Sequence, residues 1–418
     1  MKRPAILVVG ACCSTLLVTP HLRAQNTVLG PGSGVGGGVL NLVGYASYAW
    51  IGGGVTNMIF ADFGVVGGGY INVVGSAASF SSIGGGYGNA VFDAAAFSTI
   101  SGGRGNFIYS NSTGAAIGGG FSNVIVTNSP YATVSGGYYN VASGIFAVVG
   151  GGELSQATGT GATVGGGRQN AAAEQWATVG GGRANTASGE HSAVGGGHNN
   201  TANGTNAVVG GGYNNLAGGY SVVPGGGGNQ ATGFGSFAAG FTTRATNDGS
   251  FVWGGVVNVP TASTNDYSFT VRAPGGARFL TTTATNPLVG AILASGATSW
   301  AVLSDSNAKT DVEPVNAREV LKKVAALPVT SWHYKHDLKR RYIGPMAQDF
   351  HEAFGLGSDD KTITTLDTDG VTLAAIKGLV EESEARDSRI GRLEAENAEM
   401  RSRLQAIDER LGRLPPGR

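Results

Sequence analysis

The sequence predicts a mainly β protein: a parallel β-roll of about thirteen short coils, then a small α+β region ending in a coiled coil. Three observations carry that prediction. Glycine triplets or near-triplets begin at positions 36, 52, 67, 84, 101, 118, 135, 150, 165, 180, 195, 210 and 225, and a fixed period of this kind marks a stacked repeat. Charge is divided unevenly, with nine charged residues between Gln25 and Ala245 against 38 from Ala301 to the end. A 3,4 pattern of apolar residues closes the chain from Ile390 to Leu414, the spacing of a coiled coil.

The whole chain has 418 residues, 73 of them Gly, 13% charged and with a formal net charge of zero. That balance gives no electrostatic reason to expect nucleic acid or an anionic membrane as a partner. The expected division is a signal peptide over 1–24, roll repeats over 25–255, a β-rich connector over 256–300, an α+β domain over 301–382 and a coiled coil over 383–414. Lys2 and Arg3, the apolar run Ala5 to Val18 and a small-residue cut after Ala24 make an export signal. The apolar run is shorter than the ~20 residues a spanning helix needs, and no later segment is apolar enough to span. Cys12 and Cys13, the two cysteines of the sequence, both lie inside this signal, so the mature chain would have neither a disulfide nor a thiol-based metal site.

Within the roll, the residue five places after each triplet start is Asn in eleven cases: Asn41, Asn57, Asn72, Asn89, Asn106, Asn123, Asn140, Asn170, Asn185, Asn200 and Asn215. Ser155 and Gln230 fill the other two places. Fifteen residues with Gly and Asn at corners and short Val- or Ala-rich runs between fit a coil of two strands and two turns. Gly and Asn tolerate the positive φ expected there, and alternation along each run sends one side chain in and the next out. Stacking would place each Asn about 4.8 Å above the last, in a rod on the order of 60 Å long. Helix is excluded by the glycine content, and strict period with regularly placed Val and Ile argues against disorder. A coil this small buries little of itself, so association with identical chains is a physical expectation. No Gly-Lys-Ser/Thr follows a triplet, which excludes a phosphate loop. His191 and His198, seven apart in successive coils, are read as inert surface residues, and no metal or cofactor is expected.

The pattern in "GGGRANTASGEHSAV", Gly180 to Val194, resembles the YadA-like head repeats of trimeric autotransporter adhesins over roughly residues 34 to 255. The resemblance implies a left-handed roll, three chains side by side, and adhesion to a cell-surface or glycan ligand. Those adhesins end in an outer-membrane barrel, and this chain does not continue that way.

After Ala245 the period stops, and Asp248 to Thr282 read as ordinary strands with turn signals. A helix is expected in "NAREVLKKVAALPV", a strand in "TSWHYK", and a turn leading into a short helix in "IGPMAQDFHEAFGLG". From about Trp300 to Glu382, "LSDSNAKTDVEPV", the three stretches just quoted and "DTDGVTLAAIKGLVEE" are similar to the intramolecular chaperone domain of phage tailspikes and endosialidases, serine peptidase family 74. The family folds three chains of a fibre together and then cuts itself off. A serine hydroxyl needs a base within hydrogen-bond reach, and Ser304 and Lys309 lie five apart in one segment that can bend back. A lysine serves as that base once burial favours its neutral form. Carried over, Ser304 is the nucleophile, Lys309 the base and Asp305 the residue just beyond the cut. The resemblance favours scission of Ser304–Asp305, and an N→O acyl shift at Leu303–Ser304 is the rival route. Taken alone, the segment reads as a solvated turn. Tyr342 stands where the family often has His, which implies slow or absent cleavage if that His relays protons.

In the tail, Ile390, Asn397, Leu404 and Leu411 fall at a and Leu393, Met400, Ile407 and Leu414 at d. Apolar a and d positions flanked by Arg and Glu predict a homomeric bundle in which Asn397 fixes the register. Three strands follow from the neighbouring resemblances, since heptads alone also allow two. Together these readings predict an exported homotrimeric surface fibre, adhesin-like, whose C-terminal chaperone self-cleaves at Ser304. Its only expected enzyme activity is this single-turnover serine autoproteolysis. The alternatives are a tailspike-like fibre that binds or degrades polysaccharide, and a fibre that retains its chaperone uncut. Degradation needs paired carboxylates in a cleft, whereas Asp62, Asp93, Glu153, Glu174 and Glu190 are scattered along the repeats.

Overall fold

The computed structural model describes residues 25–281, 283, 290–302 and 304–412. The expected signal peptide, Leu303, Leu414 and Pro415 lie outside the described residues. The described residues divide into two compact units, the first ending at Val302 and the second beginning at Ser304.

The first unit is a β-solenoid. Its strands form two parallel sheets of sixteen strands each, one from Thr27–Val28 to Thr261–Ala262 and the other from Gly34–Val35 to Phe269–Arg272. Each strand pairs with the strand of the same sheet in the next turn, so about sixteen turns are stacked, against the thirteen counted from glycines. At the strand spacing of a sheet that is on the order of 70 Å. Most strands are only two residues long, and their second residue points inward. Ile59, Val74, Val91 and Ile108 of one sheet face Ile51, Val66, Ile83 and Ile100 of the other, all fully buried.

The extra turns explain the miscount. Asp248 to Arg272 is a continuation of the roll, not a separate connector: Phe237–Gly240, Phe251–Gly254 and Phe269–Arg272 pair in parallel register. Their phenyl rings at Phe237, Phe251 and Phe269 stack at 4.6 and 5.0 Å. Thr243 takes over the Asn position there, its N–H and hydroxyl both donating to Asn229 Oδ1 at 3.0 and 2.7 Å. The stack therefore continues without a glycine triplet to announce it. The same register corrects Gln230, which sits half-buried on a strand while Asn229 fills the buried place. Pro224 occupies the first position of that triplet, under Gly210, so a count from Gly225 runs one residue late.

Buried Asn side chains form a ladder along the rod. Asn185 Nδ2 donates to Gly181 O at 2.8 Å and Gly197 O at 2.9 Å, while its Oδ1 accepts the Asn200 N–H at 3.0 Å. These three bonds satisfy the amide inside the turn, where an unpaired polar group would be costly. The ladder Asn residues are not the left-handed positions predicted from sequence. Positive φ belongs to the residue before each one, whatever its type: Leu40, Thr56, Ile71, Tyr139 and Ala184 all lie between 54° and 58°. The Asn is selected for its amide, not for its backbone.

The two corners of a turn behave differently. Across the Gly–Asn corner the spacing between inward residues is constant at eight, as in Ile51 to Ile59, Ile100 to Ile108 and Val164 to Ala172. Across the opposite corner it is nine from Val91 to Ile100 but seven from Ala157 to Val164. The longer corner carries two left-handed residues, such as Ala94 and Phe97, and the shorter one only one, such as Trp176. Nine-residue corners leave from Val74, Val91, Ile108 and Ile125, whereas the seven-residue run leaves from Ala142, Ala157, Ala172, Ala187 and Ala202. Larger inward side chains accompany the wider turns over this stretch, in keeping with close packing, although the corner from Ile59 to Val66 is also seven residues. A three-stranded antiparallel sheet of Ala277–Leu280, Gly290–Leu293 and Ala301–Val302 ends this unit.

The second unit holds helix α1 (Ala317–Ala326), an antiparallel hairpin of Thr330–Tyr334 with Asp337–Gly344, helix α2 (Ala347–Phe354) and helix α3 (Thr365–Leu411). Asn316 caps α1 by accepting the Glu319 N–H, Gly355 ends α2 at φ 65°, and Thr364 caps α3 through Asp367 N. Val371, Ala375 and Gly378 are the buried face of α3. A Cβ at Gly378 would collide with the Ala317 carbonyl, so glycine is what lets α1 and α3 approach. α3 is one helix of 47 residues. The expected coiled-coil segment from 383 is its distal part, not a separate element, because no proline stands between Thr365 and Leu411 and the helix runs through Gly370, Gly378 and Gly391. Ile390, Leu393, Met400, Leu404, Ile407 and Leu411 are all exposed on it. Among the described residues no helix is long and apolar enough to cross a membrane.

Candidate active site

Ser304 opens the second unit, and a single 3-10 turn at Ser306–Ala308 separates it from Lys309. Asp305 initiates that turn from extended backbone (φ −70°, ψ 131°), accepting the Asn307 N–H on Oδ1 at 2.9 Å. The Asn307 side chain donates to the same oxygen at 3.0 Å. Ala308 N–H reaches Asp305 O at 3.1 Å and Lys309 N–H reaches Ser306 O at 3.2 Å. The turn folds the chain back on itself, and Lys309 Nζ donates to Ser304 Oγ at 2.8 Å. Nucleophile and base candidates are thus side by side.

Ser304, Asp305 and Lys309 are all exposed. An apolar groove of about 460 Å³ in this unit is lined by Val315, Phe354, Leu356, Leu366 and Val371 and includes none of the three. Tyr342 lies on the hairpin, half-buried, stacked on Trp332 at 4.9 Å with the Arg340 guanidinium over its ring at 5.0 Å. Its ring belongs to an aromatic cluster, and Tyr334 completes it. Asn307 is the residue that sequence reasoning passed over. The Asp-x-Asn spacing of a side-chain-closed turn was its available signal.

Elsewhere, His191 lies 3.7 Å from Glu190, and both are half-exposed. Asp62 and Asp93 accept the backbone N–H groups of Ser47 and Ser76 in neighbouring turns. Glu153 pairs with Arg168 at 3.4 Å. Among the described residues no cluster of three or more His, Cys, Asp or Glu could hold a metal ion. The side chains that hold the second unit in place carry ordinary capping roles. Asp359, for example, accepts from Lys361 N, Thr362 N and the Thr362 hydroxyl, and these donors hold its carboxyl below the usual range.

The boundaries of the family comparison coincide with this geometry. Residues 304–355 match the peptidase S74 family model, chaperone of endosialidase. The match begins on Ser304 and takes in Asp305, Lys309, α1, the hairpin with Tyr342, and α2. No curated protein matches the chain. A β-solenoid followed by a region of this kind fits a tailspike- or endosialidase-like fibre.

Proposed function

We propose that the chain is an exported homotrimeric fibre, adhesin-like in its rod, whose C-terminal unit guides trimer folding and then cuts the chain at Ser304. The observation that carries this is the 2.8 Å contact between Lys309 Nζ and Ser304 Oγ at the first residue of the matched region. Lys309 would take the Ser304 hydroxyl proton as the oxygen attacks a neighbouring peptide carbonyl, pass that proton to the departing nitrogen as the C–N bond breaks, and leave an ester that water hydrolyses. A lysine amine does this only when neutral, which desolvation favours. Both groups are open to water in one chain, so this reading requires that packed copies supply the cover. Cutting would then follow assembly. The boundary between the two compact units falls between Val302 and Ser304, so a cut at Ser304 leaves the last strand of the rod unit, Ala301–Val302, with the rod.

Intact mass of the purified protein tests the proposal. Two pieces are expected, with the small one beginning at Asp305, or at Ser304 if the acyl shift at the preceding peptide bond is the route. Ser304→Ala should give one uncut, still trimeric species. Wild type that is trimeric and uncut removes the peptidase half of the reading, and Tyr342→His then tests whether a relay is missing.

A polysaccharide-directed fibre is the second reading, favoured by the chaperone-of-endosialidase match. The rod's Asp62, Asp93 and Glu153 are engaged with backbone N–H groups or an arginine, which supports glycan binding over glycan hydrolysis.

A further inference from the structure

Resting on that reading, we infer that the Asp305 carboxylate is a positioning residue for self-cleavage, acting with Asn307 as a clamp that sets the distance between Ser304 and Lys309. Four residues separate nucleophile from base, and their conformation alone decides whether a flexible lysine finds the hydroxyl. The turn has four hydrogen bonds, of which two end on one oxygen, Asp305 Oδ1: Asn307 N–H at 2.9 Å and Asn307 Nδ2 at 3.0 Å. The other two are backbone bonds that close it, Ala308 N to Asp305 O and Lys309 N to Ser306 O.

The turn is exposed except at half-buried Ala308, so packing contributes little and water competes for its backbone groups. A 3-10 turn has poorer hydrogen-bond geometry than an α-helix, which leaves the side-chain clamp as the distinguishing restraint. Asp305 is the only residue of the turn whose side chain accepts from it among the described bonds. Its task is acceptance, for which one carbonyl-type oxygen suffices. The negative charge is not needed, and Asp305 takes no proton in the reaction.

The test is the first-order rate of cleavage in the full-length trimer, with hydrogen exchange at the Asn307 to Lys309 amides measured alongside. Asp305→Ala should slow cleavage about tenfold and speed exchange at Asn307, Ala308 and Lys309. Asp305→Asn keeps an acceptor oxygen and should cut within about twofold of wild type, with an unshifted pH profile. Asn307→Ala removes one bond of the pair and should fall between. If Asp305→Asn is as slow as Asp305→Ala, or shifts the pH profile, the carboxylate acts through its charge or its proton and the inference is overturned. Asp305→Ala at wild-type rate overturns it as well. Should wild type itself remain uncut, the functional reading fails separately. The exchange measurement then still decides the clamp, since unchanged exchange in Asp305→Ala refutes it.

Discussion

The rod and the C-terminal unit differ in their interiors, although both expose large apolar side chains, among them Phe97 and Tyr267 in the rod. In the rod, Ile51, Ile59, Ile83 and Ile100 are fully buried within a single chain, and each buried Asn has its amide satisfied by the turns above and below. In the C-terminal unit, Ile343 is 78% exposed, Leu338 73% and Leu373 69%, and the a and d residues of α3 are open as well. The first region completes its interior by adding more of itself along one axis. The second has a small interior, Ala317, Phe350, Val371 and Ala375, and leaves a large apolar surface for something else to cover. A solenoid is a sum of like neighbours, which makes its start the difficult step, since the first turn has no neighbour to pair with. A region that gathers chains before the rod forms would supply that start, which is the role proposed for the C-terminal unit.

The contrast can be broken or sharpened by experiment. The largest effect is expected on removal of Ile390 to Arg418, which takes away the exposed heptads. Trimer yield and cleavage should both collapse while any rod that does form keeps its melting behaviour, as size-exclusion chromatography and mass would report. Next comes Asn185→Leu. It leaves the buried Asn200 N–H without its acceptor and takes one donor each from the Gly181 and Gly197 carbonyls, of which Gly197 keeps the Arg183 N–H. At roughly 1–3 kcal/mol for a buried unsatisfied group, a loss of that size per chain is expected in thermal unfolding. An unchanged melting profile would mean the ladder is ornamental.

A pair of glycine substitutions divides the triplet. Gly182 has φ +86° and its Cβ would strike the Gly197 carbonyl, whereas a Cβ on Gly181 meets nothing within 4 Å. Gly182→Ala should cost about 1–3 kcal/mol or more, and Gly181→Ala should be near neutral in the folded chain. Trimer stability measured on the second variant also reports whether another chain lies against that edge.

A gain is expected at Ser155, which interrupts the ladder: its hydroxyl reaches only Glu153 O, at 3.4 Å. Ser155→Asn should restore donors to the neighbouring carbonyls and an acceptor for Asn170 N–H, adding about 1 kcal/mol to the melting free energy. The smallest effect concerns Asp359. Its carboxyl pKa is lowered by the N–H of Lys361, then by the hydroxyl and N–H of Thr362. The stabilisation it lends is therefore present above the unfolded carboxylate pKa and is lost as pH falls through the lower folded value. Amide exchange in the 359–362 turn should quicken in acid before the rod changes, and Asp359→Asn should remove that dependence.

The period made the rod legible, because thirteen glycine corners repeat one physical demand. Its last turns were not legible, since Thr243 and Thr261 meet the same buried polar requirement without a glycine triplet before them. Gln230 was misassigned because Pro224 stands where a triplet's first glycine would, so the triplet was counted from Gly225, and only pairing register reveals which neighbour faces inward. Left-handed backbone was placed on Asn by its propensity, while the structure gives it to Ile71, Tyr139 and Leu154. There the stacking of the turns overrides local preference. In the C-terminal unit, α1, α2 and the strand Thr330–Tyr334 were legible in the sequence, whereas the partner strand Asp337–Gly344, with its charged Asp-Leu-Lys-Arg-Arg start, was not. Asp305 and Asn307 were missed as a pair because a two-residue clamp on an exposed turn leaves no hydrophobic trace.

The eight-residue Gly–Asn corner and the elastic corner of six to nine residues give the rod a spine and a hem. Length can vary on the hem, from Val91 to Ile100 or from Ala157 to Val164, without disturbing the pitch set along the spine. A lineage of such rods could therefore change what it displays to the outside, lengthening or trimming one margin turn by turn, while each new version still assembles with the same metre. For an engineer, the corner at 158–162 is the place to graft a foreign loop, and the Asn185 edge is the place to leave alone.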